Sequence, residues 1–141
     1  MQKVPKSLGY LLLLTSVTAS ATCPAGKRAA CDFAKTMAAD LSPRLPIQLS
    51  QNMQLSKAFA QDEYLNFYVM LNYNRSVLVS AMRQKGASIE DAKTGLAAFA
   101  QNYVCTTPIL AQATKLGFIQ SFHYQLVDGE LLTSFSVSRC N

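Results

Sequence analysis

The stretch CTTPILAQATKLGFIQSFHYQLVDGELLTSFSVSRC, residues 105–140, decides the fold. Thr107 is placed to cap a helix whose first residue is Pro108, where a missing N–H costs nothing, and Gly117 supplies a left-handed stop. Ile109, Leu110, Ala113 and Leu116 predict one apolar face on that helix. From Phe118 the period changes to two: Phe118, Phe122, Tyr124 and Leu126 alternate with Ser121, His123 and Gln125. Asp128-Gly129 predicts a two-residue hairpin turn. That turn sets Leu126 opposite Leu131, Tyr124 opposite Thr133, Phe122 opposite Phe135 and Gln120 opposite Val137. Ser121, His123, Gln125, Ser134, Ser136 and Ser138 then gather on the second face. A slip of one residue would mix the two sets.

Upstream, Ser88 with Asp91 predicts a capping box. Ile89, Ala92, Leu96, Phe99, Ala100 and Tyr103 trace one helical face behind it. Residues 76–85 are ambiguous between the end of a strand and a short helix, and Asn74-Arg75-Ser76 has the form of a glycosylation sequon. Leu65, Phe67, Val69 and Leu71 alternate with Tyr64, Tyr68 and Met70 in a strand that is apolar on both faces. Helices should cover one face. The other face awaits a further helix or a partner, which makes Tyr64, Tyr68 and Met70 candidate partner-binding residues. Gln61-Asp62-Glu63 turns the chain into this strand, and Met53, Leu55 and Phe59 mark a preceding strand over 47–60. Before it, Ala30, Phe33, Ala34, Met37 and Leu41 share one face of a helix over 27–41, which Ser42-Pro43 and Leu45-Pro46 stop. The expected fold is therefore one α+β domain of order α-ββ-α-α-ββ. Its two hairpins form an antiparallel sheet of four strands, or five, packed against helices.

At the start, Lys3 and Lys6 precede an apolar run, Leu8 to Leu14, and Ala19-Ser20-Ala21 fits small-residue cleavage. The expected division is a signal peptide over 1–21 and a periplasmic domain over 22–141. The run is too short to span a bilayer. Cys23 lies where a lipoprotein would carry its acylated cysteine, but Ser20-Ala21-Thr22 lacks both the apolar residue three positions before and the small residue just before. Outer-membrane attachment would follow only if Cys23 is lipidated. Loss of Lys3 and Lys6 leaves 11 basic against 8 acidic residues, a scattered net +3 with no nucleic-acid motif.

Four cysteines in an exported chain favour disulfides over metal ligation or thiol chemistry. Cys105 with Cys140 ties the region before the last helix to the end of the last strand. Cys23 then pairs with Cys31, or is lipidated and leaves Cys31 over. With His123 as the sole imidazole and no close-spaced cysteine pair, no metal site is expected. His123 faces Ser134 in the hairpin register, yet a flat strand face offers no nucleophile elbow or oxyanion donors. The doublets Asp62-Glu63 and Glu90-Asp91 sit at a turn and a helix start, where structural acids belong. No catalytic residue, metal or cofactor is assigned.

This layout resembles the α/β family of type II secretion pilotins. The resemblance rests on Leu45-Pro46-Ile47 after the first helix, the strands from Met53 to Leu71, and Tyr103-Val104-Cys105 followed by Pro108. It continues through Gly117, Phe122-His123-Tyr124, the Asp128-Gly129 turn and Cys140. It implies a non-enzymatic carrier that grips a short secretin tail as an amphipathic helix in a groove, with Cys105 and Cys140 as the structural disulfide. The family's strong acylation signal is lacking, and the segment between Asn74 and Ser88 is longer than the family pattern needs. The rival reading is a periplasmic inhibitor or immunity protein that blocks an enzyme or toxin with a projecting plug.

Overall fold

A computed structural model describes residues 23–141, so the expected signal peptide over 1–21 lies outside the described residues. The chain runs α1 (Arg28–Leu41), a single 3-10 turn (Ser42–Arg44), β1 (Ile47–Ser50), β2 (Met53–Gln61), β3 (Tyr64–Leu71), α2 (Arg75–Gln84), α3 (Ile89–Thr106), α4 (Pro108–Lys115), β4 (Ile119–Gln125) and β5 (Leu131–Val137). The five strands form one sheet in the order β1-β2-β3-β4-β5. Neighbours are antiparallel except β3 and β4, which run parallel. The sheet is thus mixed rather than antiparallel throughout. Short turns enforce antiparallel pairing, whereas the three helices between β3 and β4 carry the chain back to the end where β3 began.

Local chemistry explains the elements. Ser88 accepts from the Asp91 N–H at 3.2 Å while the Asp91 carboxylate accepts from the Ser88 N–H at 2.7 Å, closing the capping box of α3. The ambiguous segment 76–85 is helical because the Asn74 side chain accepts from the Val77 N–H at 2.9 Å, an N-cap that outweighs the β-branched Val77 and Val79. In α4 the buried stripe is Leu110, Ala113 and Thr114, while Ile109 and Leu116 are exposed, so only half of the expected face is covered. Residues 47–60 are two strands rather than one, separated by a turn at Gln51-Asn52.

In the last hairpin Tyr124 faces Thr133, Phe122 faces Phe135 and Gln120 faces Val137, as the alternation requires. The turn differs. Val127-Asp128-Gly129 forms a three-residue loop closed by the Leu126 N–H donating to the Glu130 carbonyl at 2.8 Å, with Gly129 at φ +86°. A bulge at Leu132 removes the extra residue from the count, so Gln125 faces Leu131. Leu132 takes the core position and Leu131 is 54% exposed, the reverse of the expected placement.

The described helices lie on one face of the sheet. Leu55, Leu65, Phe67, Val69, Phe122 and Tyr124 are buried beneath them. The Tyr124 hydroxyl donates to the Leu96 carbonyl at 3.0 Å, fastening β4 to α3, and burial pushes the phenol's pKa up. Lys27 reaches Glu63 at 2.9 Å and ties the start of α1 to the β2–β3 turn. That contact lowers the Glu63 pKa. Cys105 and Cys140 are bonded with Cα atoms 5.4 Å apart, and Cys23 and Cys31 with Cα atoms 6.1 Å apart.

Candidate functional site

Two surfaces of the domain offer chemistry to a partner: the open face of the sheet and a groove in its helical layer. On the open face, the β2 bulge between Leu55 and Lys57 decides which residues appear. It sends Ala58 and Ala60 to the core side and turns Phe59 outward, 43% exposed. Phe59 then stacks on Tyr68 at 5.8 Å between ring centroids, and Tyr68 stacks on His123 at 4.7 Å. No described helix covers this face. Tyr64 lies exposed at the start of β3, and Tyr68 and Met70 are half-buried farther along it. The second set of that two-faced strand finds aromatic neighbours within the sheet in place of a helix.

His123 joins Ser134 and Asn66. Its Nδ1 lies 2.9 Å from the Ser134 hydroxyl, and its Nε2 3.1 Å from the Asn66 carbonyl oxygen. Because that oxygen only accepts, the hydrogen sits on Nε2, and Nδ1 accepts from Ser134. Burial pulls the imidazole pKa below its ordinary value of 6.5. The folded protein binds this proton less readily than the unfolded chain. His123 therefore contributes stability that is present above about pH 6.5 and is lost as pH falls through the lowered folded value. Between about pH 7 and about pH 5 the melting temperature of the wild type should fall more steeply than that of His123→Gln. Parallel profiles would show that the imidazole titrates as it does in the unfolded chain.

The groove arises because α1 stops early. Lys27 anchors the start of α1 beside Glu63, and the helix ends at Leu41, so it covers β2 and β3 over only part of their length. The far part of the core face, around Met53 and Leu71, is flanked instead by α2 and α3. One cleft of about 250 Å³ lies there, lined by Met53, Leu71, Tyr73, Leu78, Ala92, Gly95, Leu96 and Leu132, with Ser50 and Asn52 on its polar rim. A second, of about 70 Å³, lies between α1 and the ends of α3 and α4. Met37, Leu41, Ile47, Leu49, Leu55, Phe67, Tyr103, Leu110 and Phe122 line it.

The two clefts draw on neighbouring residues of the same strands, Leu49 and Ser50 on β1 and Leu55 and Met53 on β2. Along α3, Ala92, Gly95 and Leu96 line the larger cleft and Tyr103 the smaller, all at helical spacing on one side of the helix over roughly 16 Å at the rise of an α-helix. Neither cleft has a charged side chain in its lining. Such walls suit apolar side chains. Gly95 is the unusual component. It sits in mid-helix, and a Cβ built there would meet nothing within 4 Å. Neither internal packing nor backbone conformation requires glycine at this position, but its bare backbone permits close approach from outside. Sequence reasoning assigned this helix face to core; the isolated glycine within it was the available signal.

No family model matches the sequence, and no curated protein matches it. Among solved structures, the pilotin EpsS of the Vibrio vulnificus type 2 secretion system superposes with a TM-score of 0.64 at 15% identity, over 80% of this chain and 91% of that one. A candidate secreted protein of Pseudomonas aeruginosa superposes at 0.63 with 9% identity, over 82% and 95%. The pilotin AspS of the Vibrio cholerae type II secretion system gives 0.59 with 14% identity, over 81% and 93%. The chain has the fold that these two pilotins and the Pseudomonas protein share.

Proposed function

We propose that the protein is an exported, non-enzymatic carrier of the pilotin kind, which holds an amphipathic helix of a secretin, or of another envelope partner, in the groove between α1–β1 and α3. The carrying observation is the pair of apolar clefts on the same side of α3, with an uncovered helix glycine in the larger. A wall roughly 16 Å long accommodates about three turns of a docked helix. The shared fold agrees with this reading. The rival inhibitor needs a projecting plug, but the exposed Val127–Leu131 turn is fastened to the body. The Val127 N–H donates to the Tyr73 carbonyl at 3.0 Å, and Glu130 accepts from Arg75 Nε at 2.8 Å.

Two substitutions at Gly95 test the groove with opposite expected effects. Gly95→Ala places a methyl in open space and should raise stability by about 0.5–1 kcal/mol, through helix propensity, while binding is retained. Gly95→Leu fills the cleft and should weaken binding of a synthetic peptide of the secretin's C-terminal segment at least about tenfold, one step of 1.4 kcal/mol. Equal affinity for the leucine variant, read by fluorescence anisotropy, would remove the groove as the site.

Pairing of Cys23 with Cys31 also bears on attachment, because a sulfur held in a disulfide is not available for a thioether to lipid. The reading is a protein released into the periplasm rather than anchored through Cys23. The intact mass of the exported form should show two disulfides and no diacylglyceryl group; an acylated Cys23 would place it on the membrane.

A further inference from the structure

The two edges of the sheet are built differently. β1 is four residues long and carries a bulge. Its Gln48 side chain folds back so that Nε2 donates to the Ser50 carbonyl and, at 3.2 Å, to the Met53 carbonyl. These features blunt an edge. β5 spans seven residues, LLTSFSV, with no charge and no proline. Among the described residues no loop or side chain bonds to the outward backbone groups of Thr133 to Val137. An open, uncharged edge of high β-propensity is a template for another strand.

We propose that β5 pairs antiparallel with β5 of a second copy of this chain, about a two-fold axis at Phe135, joining two five-stranded sheets into one. The register follows from which face each side chain occupies. Thr133, Phe135 and Val137 pair with Tyr124, Phe122 and Gln120 and lie on the helix side, while Ser134 and Ser136 lie on the open side. Centring on Phe135 sets Phe135 against its copy, Thr133 against Val137 and Ser134 against Ser136, so every residue meets one on its own face. Centring on Ser134 would set core-side Leu132 against open-side Ser136 and run into the bulge. The aromatic and hydroxyl pairs favour the first register, and with no charged residue in the strand no like charges oppose.

The choice of a second copy over an unrelated strand rests on closure. With β1 blunted, copies cannot join β5 to β1 in an open chain, so self-pairing ends at two and leaves no free template. The pairing uses the outward backbone of residues 133–137, and the larger cleft meets β5 only at Leu132, outside that segment, so each copy keeps its groove open. This assembly stands whether or not the groove holds a secretin helix.

Sedimentation velocity of the purified, disulfide-bonded protein should give twice the monomer mass. The double variant S134K/S136K sets lysine against lysine in the pairing and leaves the helix-side core intact, and it should sediment as a monomer. Gln48→Lys, on the other edge, should remain a dimer. Hydrogen exchange of the wild type supplies a readout that needs no variant. The outward-pointing amides between Thr133 and Val137, every second one, should lose protection on dilution into the monomer range, while those bonded to β4 keep it. A wild type that stays monomeric at all accessible concentrations, a dimeric S134K/S136K, or exchange at 133–137 independent of concentration would each overturn the proposal.

Discussion

Phe118→Ala is expected to lower unfolding free energy by about 3–5 kcal/mol, the range for deleting a buried aromatic ring and leaving a cavity. Phe118 is fully buried, and its ring meets Phe33 edge-on at 5.2 Å, joining α1 to the segment between α4 and β4. Its N–H also donates to the Ala113 carbonyl at 3.3 Å, so the same residue ends a helix and fills the core. Domains of this size hold roughly 5–15 kcal/mol in total, so the variant should unfold at much lower urea. A loss below about 1 kcal/mol would mean that the ring is not in the core.

The double variant Cys105→Ser/Cys140→Ser should lose a comparable amount, about 3–4 kcal/mol by the loop-entropy model for a bridge spanning 35 positions. The bridge fastens the end of β5 to the last turn of α3. Gln101 reinforces the joint by donating from Nε2 to the Arg139 carbonyl at 3.0 Å. The shorter Cys23–Cys31 loop, 8 positions, should contribute less. Thermal melts of oxidised wild type and the serine variant check this directly. Coincident melts would show that the bridge does not constrain the unfolded chain.

What the sequence showed and what it hid follow from the range of the interactions. The last hairpin was legible because its alternation is local and self-consistent from Gln120 to Tyr124. The exchange of Leu131 for Leu132 was not, because a three-residue loop and a one-residue bulge cancel and leave the remaining register unchanged. The bulge that turned Phe59 outward was hidden in the same way: either phase of β2 offers apolar residues. Residues 76–85 were ambiguous because Val77, Leu78 and Val79 suit a strand, and a single Asn74 cap decides for helix. The parallel β3–β4 pair depends on the path of three helices, which no local pattern encodes. The groove needs α1, β1, β2 and α3 together, so the sequence reading passed over it, although Gly95 inside a helix was an available local signal. The candidate partner-binding set Tyr64, Tyr68 and Met70 follows from one strand alone, and it lies across the sheet from the groove.

Four methionines of the domain report on these surfaces separately. Met37 lines the smaller cleft and Met53 the larger, Met70 lies on the open sheet face, and Met82 belongs to α2. Methyl-labelled methionine spectra recorded while a peptide of a secretin's C-terminal segment is added measure occupancy of the groove without any substitution. The carrier reading predicts that the Met37 and Met53 signals move together while Met70 stays in place. Movement of Met70 with Met37 and Met53 unchanged would put the partner on the open face and contradict it.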